Sequence, residues 1–306
     1  MPEHGLQQST HPAFSSAGSL ADAVTDWYGR TARELPWRRP GVGAWPVLVS
    51  EVMLQQTPVI RVIPAWTAWL QRWPKPADLA AATPGDAVRM WGKLGYPRRA
   101  VRLRECAGAI VERFGGAVPS DVDELQSLPG VGTYTARAVA VFAYGLRHPV
   151  VDTNVRRVIA RAVLGQGDAG PSSPRADHAA AEALLPIAPA RAAVVSIALM
   201  ELGALVCTAR APGCSSCPLT ATCEWRLGGS PPYRGPARRP QRFAGTDRQV
   251  RGLLLDVLRS TDGPVPRSAL DCVWHDTIQR DRALGGLVSD GLLEPLPDGR
   301  FALPGQ

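Results

Sequence analysis

Lysine is nearly missing from this chain of 306 residues: of its 34 Lys and Arg residues only Lys75 and Lys93 are lysines. An amine can be desolvated into a nucleophile, whereas a guanidinium keeps its proton and forms bidentate contacts with phosphate or carboxylate. Amine chemistry is therefore confined to two positions. Long apolar runs are also missing. Stretches such as 138–143 and 194–200 fall far short of the roughly 20 residues that span a bilayer, which excludes a membrane partner. Residues 1–18 have no basic stretch leading into an apolar one, so they read as a disordered tail rather than a secretory leader. Six cysteines are too few for a disulfide scaffold at this length. Four of them crowd between Cys207 and Cys223, which points to a metal site in a reducing, cytoplasmic compartment.

What is present bounds the rest. A 45% hydrophobic content excludes disorder for the bulk of the chain, and the length suits about two domains. The net charge of +7, almost wholly arginine, suits a polyanionic partner. Residues 19–227 have apolar residues at three- and four-residue spacing with Pro or Gly at the joints, which predicts an all-α core. Residues 228–245 read as a basic linker carrying Arg234, Arg238, Arg239 and Arg242. Residues 246–306 predict three helices and a hairpin about Asp298-Gly299, a small winged-helix-like module for packing or for DNA contact.

The cysteines are spaced Cys207-x6-Cys214-x2-Cys217-x5-Cys223. Only Cys214 to Cys217 forms the short hook of a zinc site, and one compact loop with four thiolates suits a 4Fe-4S cluster better. Cys106 and Cys272 read as apolar fillers. Leu128-Pro129-Gly130-Val131-Gly132 sits between a helix end and a helix start. Gly130 and Gly132 there form either a phosphate hook or a plain helix connection. Asp152 stands where another helix should begin, as an N-cap or as a functional carboxylate. Glu51 is the one charge in a helix-length apolar stretch, surroundings that raise the pKa of a carboxyl toward that of a general acid.

Taken together, Ser50-Glu51-Val52-Met53-Leu54-Gln55-Gln56-Thr57, the glycine hairpin, Val151-Asp152-Thr153-Asn154-Val155 and the cysteine loop resemble the helix-hairpin-helix DNA glycosylases, and within them the adenine glycosylases of the MutY type. The resemblance covers residues 19 to 225. It implies a two-lobed helical fold with an iron–sulfur loop, acting as a monomer in the cytoplasm, at the nucleoid, on double-stranded DNA that contains a mispaired adenine. It further implies that Glu51 protonates the extruded adenine and Asp152 stabilises the sugar cation. Trp37, Arg38 and Leu54 would then line the base pocket. Gln56 and Tyr96 would enter the base stack, and Asn154 would support Asp152. Arg98, Arg99, Arg102, Arg156 and Arg157 are candidate DNA contacts.

Endonuclease III-like relatives cut the strand through a lysine in the hairpin, and Tyr134 occupies that position here, which favours base removal without strand cutting. Thymine-mismatch glycosylases share the tyrosine, and the Asp152-Thr153 pair is closer to the endonuclease branch. Two features depart from the MutY pattern. The C-terminal segment is too short and too helical for a β-rich domain that reads 8-oxoguanine, and Ile197 stands where an amide or acid commonly faces the adenine. A cluster-bearing DNA-binding protein without catalysis is the alternative of another class, although phosphate binding alone requires neither Glu51 nor Asp152.

Overall fold

A computed structural model describes residues 17–232 and 242–306. Most of the expected tail, and Arg234, Arg238 and Arg239 of the expected linker, lie outside the described residues. Among the described residues the protein is mostly helical, with one two-stranded sheet, and no helix is long and apolar enough to cross a membrane. The helices are α1 (Ala17–Thr31), α2 (Ala44–Leu54), α3 (Val59–Arg72), α4 (Pro76–Ala81), α5 (Pro84–Trp91), α6 (Arg98–Phe114), α7 (Val122–Gln126), α8 (Thr133–Tyr144), α9 (Thr153–Ala162), α10 (Pro174–Glu182), α11 (Pro189–Leu205), α12 (Glu224–Leu227), α13 (Asp247–Ser260), α14 (Arg267–Asp271) and α15 (Thr277–Ser289).

Two compact units divide the chain, and neither is continuous in sequence. In the first, α1 joins α9 to α12 and the greater part of α8. Leu20, Val24 and Trp27 recur at helical spacing on α1 and pack with Val155, Val158 and Ile159 of α9 and with Val195, Leu199 and Leu202 of α11. A part-buried ion pair fixes the end of α1 to this core. Glu201 of α11 is fully buried, and its two carboxylate oxygens accept hydrogen bonds from Arg33 Nε and Nη2 at 2.7 Å each. The backbone N–H of Arg33 adds a third at 3.1 Å. Bidentate pairing of this kind offsets the cost of burying a carboxylate.

The second unit holds α2 to α7, the first turn of α8, and α13 to α15 with the sheet. Helix α2 is apolar on all sides and is buried from Val47 through Met53. Edge-on indoles fill the space beside it, Trp69 against Trp73 at 4.6 Å and against Trp91 at 5.5 Å between ring centroids. Helix α5 starts on a capping box in which Thr83 Oγ1 accepts from the Asp86 N–H while Asp86 accepts from the Thr83 N–H.

Residues 246–306 form three helices and the hairpin β1 (Glu294–Pro295) to β2 (Phe301–Ala302), turned by Gly299 at φ 82°. This segment is built onto α5. Val88 belongs to the same apolar cluster as Val250, Leu254, Leu258 and Leu287. The Gly85 N–H donates to Pro304 O at 2.7 Å, and a Cβ on Gly85 would stand 2.8 Å from that oxygen. One guanidinium closes the joint: Arg89 Nη1 donates to the carbonyls of Leu258, Arg259 and Thr261, the orphan acceptors at the end of α13. Cys272 corrects one expectation. It is exposed, not an apolar filler, whereas Cys106 is buried on α6.

Charge-assisted bonds to otherwise unsatisfied carbonyls are worth about 1.5–3 kcal/mol, and exposed ion pairs about 0–1 kcal/mol. Arg89→Ala should therefore lower the unfolding free energy by roughly 2 kcal/mol. Lys93→Ala, which removes an 82% exposed ammonium 3.1 Å from Asp256, should cost less than about 1 kcal/mol. Urea denaturation of both variants checks the ranking; equal losses would mean that Arg89 acts as a surface ion only.

Candidate active site and cysteine pocket

Glu51 lies near the end of α2 with only 5% of its surface exposed, which rules out a solvated surface glutamate. Its neighbours along the helix, Val47, Leu48, Ser50 and Val52, are buried as well. Leu54 and Arg38 are half-buried, and Trp37 is packed edge-on against Trp66 at 5.7 Å, so Trp37 serves the core of this unit.

Two turns follow from the end of α2 and from α5, and each places a non-glycine residue in left-handed backbone: Gln56 at φ 54° and Tyr96 at φ 50°. Both side chains are exposed, and Tyr96 Oη donates to Gln56 Oε1 at 2.8 Å. Left-handed backbone at such residues costs on the order of 1 kcal/mol each and persists only where surroundings over-determine it. Arg99 supplies that surrounding. Its Nη1 donates to the carbonyls of Val52, Met53 and Gln55, and its Nη2 donates to Thr57 Oγ1 and Gly95 O. Burial pushes this guanidinium down to about 10, with the Tyr96 hydroxyl opposing, so it remains charged at neutral pH.

In the hairpin between α7 and α8, Gly130 has φ 77°, and a Cβ there would meet Arg102 Cβ at 2.9 Å; no other residue fits. Gly132 O accepts the first bond of α8, from Ala136 N. Tyr134 is half-buried in that first turn. Gln55 Nε2 donates to Thr135 Oγ1 at 3.3 Å, tying the end of α2 to the start of α8.

Asp152 is the N-cap of α9, as one of its two expected readings has it. It does more than cap. Oδ1 accepts from the N–H groups of Asn154 and Val155 at 2.9 and 2.8 Å, and Oδ2 accepts from Asn154 Nδ2 at 2.7 Å. The Asn154 amide is in turn oriented by Arg157 Nη2, which donates to Asn154 Oδ1 at 2.8 Å and to Gly203 O at 2.6 Å. Arg157 Nε donates to Cys207 O at 2.6 Å. Gly203 is the residue that allows this approach: a Cβ would stand 2.7 Å from Asn154 Cβ and Asn154 O. A helix N-terminus and three donors would ordinarily depress a carboxyl, yet burial outweighs them and holds Asp152 above its usual value.

Cys207, Cys214, Cys217 and Cys223 line one pocket of about 290 Å³ of empty volume, open to solvent on one side. Among the described residues no three His, Cys, Asp or Glu side chains are gathered as a single-ion site. Arg161 Nη1 lies 3.5 Å from Cys207 Sγ, and burial with the neighbouring cysteines pushes the Cys217 thiol up to about 11.

The arginines expected on DNA differ in exposure: Arg98 and Arg102 have side chains more than half exposed, whereas Arg99, Arg156 and Arg157 are half-buried. Arg99 and Arg157 bond carbonyls as described, Arg98 pairs with Asp290, Arg102 with Glu105 and Arg156 with Asp177. Sequence reading missed the roles of Arg99 and Gly203. A glycine inside the apolar α11 stretch was the available signal of close backbone approach.

Residues 49–186 match the family model of the HhH-GPD superfamily of base excision DNA repair proteins. An adenine DNA glycosylase of Mycobacterium tuberculosis is 60% identical over 298 residues, covering 96% of this chain and 97% of the relative. One of Mycolicibacterium smegmatis is 59% identical over 284 residues, covering 92% and 95%. A solved thermostable thymine-DNA glycosylase superposes with a TM-score of 0.63 at 25% identity, over 70% of this chain and 97% of that one. The chain belongs to the adenine DNA glycosylase family.

A raised carboxyl takes up its proton more readily folded than unfolded, so Asp152 adds stability below about pH 4 and loses it as pH rises through the folded value. An Asp152→Asn variant lacks this loss. Its melting temperature relative to the parent should therefore rise from pH 4 toward neutrality; a flat or falling difference in thermal scans would contradict the burial argument.

Proposed function

We propose that this protein removes adenine mispaired with 8-oxoguanine or guanine from double-stranded DNA by hydrolysing its N-glycosidic bond, leaving the strand uncut. The observation that carries this reading is the pair of dissimilar carboxyls: Glu51 buried on an apolar helix, and Asp152 half-buried among three N–H donors. Glycoside hydrolysis needs one carboxyl that gives a proton and one that meets a developing cation. Glu51 sits on a helix whose Val47, Leu48 and Val52 are buried with it, away from bulk water. Glu51 gives that proton to a nitrogen of the five-membered ring of adenine. The bonding pair between sugar and base then leaves with the base. Asp152 stabilises the sugar cation, and water adds at the anomeric carbon and passes its proton to the carboxylate left on Glu51, which restores the acid. What raises the affinity of Asp152 for a proton also raises its affinity for that cation.

Gln56 and Tyr96 are the side chains that would enter the base stack, and the hairpin glycines Gly130 and Gly132 would bring N–H groups to a phosphate. Tyr134 leaves no amine in the hairpin to form an imine, which supports base removal alone. Such an enzyme works at the nucleoid. Cys207, Cys214, Cys217 and Cys223 would hold a 4Fe-4S cluster; it supplies no acid or base to a hydrolysis but ties the loop to itself. Four thiols lining one pocket from one compact loop, with only Cys214 and Cys217 spaced as a zinc hook, support that assignment over zinc.

Duplexes carrying adenine opposite 8-oxoguanine or guanine, thymine opposite guanine, or thymine glycol test the reading. Breaks are expected at adenine and only after alkali, and Glu51→Gln should abolish them while duplex affinity stays within a few-fold; breaks without alkali, or at thymine alone, would overturn it. Purified protein should carry iron and sulfide at about four each per chain, and stoichiometric zinc instead would refute the cluster.

A further inference from the structure

We propose that Arg99 is a positioning residue that locks the turn at Gln56 and the turn at Tyr96 into one pre-formed wedge, held to the last turn of the helix that carries Glu51. The inference rests on the reading that Gln56 and Tyr96 enter the DNA stack, and it adds the group that keeps them in place. Among the described residues only three non-glycine residues have positive φ, and two of them are these. They lie 40 positions apart, yet their side chains meet at 2.8 Å. No backbone–backbone hydrogen bond between residues 54–57 and 94–97 joins the turns; besides the Tyr96–Gln56 contact, one side-chain bond crosses, from Thr57 Oγ1 to Leu94 O at 3.4 Å.

The guanidinium fork does join them. Nη1 reaches the Val52, Met53 and Gln55 carbonyls at 2.7–3.1 Å on one side, and Nη2 reaches Thr57 Oγ1 and Gly95 O at 3.0 Å each on the other. The first set consists of acceptors left over at a helix C-terminus, where the helix dipole also favours a cation. The plane of the group lies 5.5 Å from the Tyr96 ring centroid and 5.2 Å from that of Trp91, so the wedge ring itself rests on it. A lysine cannot reproduce this arrangement, because its ammonium is a single point with three donors and cannot span two turns. Without the fork, each left-handed residue is free to relax, and the wedge must be ordered at the moment of binding. That ordering cost falls on base extrusion rather than on affinity for undamaged duplex.

The experiment uses full-length protein and a duplex with 2-aminopurine beside a target adenosine bearing a 2′-fluoro group, which disfavours the sugar cation and leaves the base uncleaved. Fluorescence on binding reports unstacking, and single-turnover excision on the unmodified duplex reports rate. Arg99→Lys should retain the parent circular dichroism and lose about tenfold or more in both the unstacking signal and the rate. Combined with Tyr96→Ala it should lose little more than the larger single loss, because both act through one wedge. Losses that multiply, or a parent-like signal in Arg99→Lys while Tyr96→Ala and Gln56→Ala are defective, would overturn the proposal alone. Parent-like signals in Tyr96→Ala and Gln56→Ala would overturn the wedge reading and this inference with it. Should Arg99→Lys fail to fold, Thr57→Val, which removes one acceptor of the fork together with the Thr57 Oγ1 bond to Leu94 O, should show the same loss in smaller degree; an unchanged Thr57→Val would then overturn the proposal.

Discussion

Short helices have many ends, and every end leaves carbonyl groups without partners. In this protein guanidinium groups meet them. Arg99 closes α2, Arg89 closes α13, and Arg104 bonds Ala80 O and Ala82 O at the end of α4. Arg147 reaches the Leu185 and Pro186 carbonyls beyond α10, Arg157 the last turn of α11, and Arg280 the Asp271 carbonyl after α14. Each of these carbonyls belongs to a different segment from the arginine that bonds it, so one fork both satisfies acceptors and joins two elements. A lysine could satisfy one or two acceptors but not hold a fixed plane between segments. The preference for arginine over lysine thus has a cause inside the fold.

That cause changes how the net charge of +7 bears on DNA. Among the arginines near the site motifs, Arg99, Arg156 and Arg157 are held by carbonyls or a carboxylate, whereas Arg98 and Arg102 keep exposed guanidinium groups in surface ion pairs worth about 0–1 kcal/mol. The segment 246–306 carries nine carboxylates against seven arginines. On the solvent side of α15 Arg282 pairs with Asp247, and Asp281 pairs with Arg267. The net charge of this segment is negative, and its contacts with Gly85, Val88 and Arg89 seat it on α5.

Helix content was legible because apolar spacing reports it directly: the all-α core expected over 19–227 holds α1 to α12, and the three helices expected over 246–306 are α13 to α15. Burial of Glu51 was legible for the same reason, since a lone charge among apolar residues has no solvated face to occupy. Gly130 was legible as a special position, though not the Arg102 contact that requires it. The arginine roles were not legible. A hydrogen bond from a side chain to a distant carbonyl leaves no periodicity, and Arg99 reads the same in sequence whether it faces phosphate or Val52 O. The left-handed Gln56 and Tyr96 were hidden for a related reason: only glycine announces positive φ, and here the conformation is imposed by neighbours.

Lys93 shows how the two levels meet. As one of two amines, it is the residue that sequence alone leaves as a rival to base removal without strand cutting. An amine that attacks a sugar carbon must be desolvated or set beside another cation to lose its proton. Lys93 is 82% exposed and lies 3.1 Å from the carboxylate of Asp256, the opposite of both conditions. The carbonyl of the same residue accepts from Arg61, so its backbone is held as well. The scarcity of lysine narrows imine chemistry to two positions by counting, and the pairing with Asp256 makes Lys93 a poor nucleophile by environment.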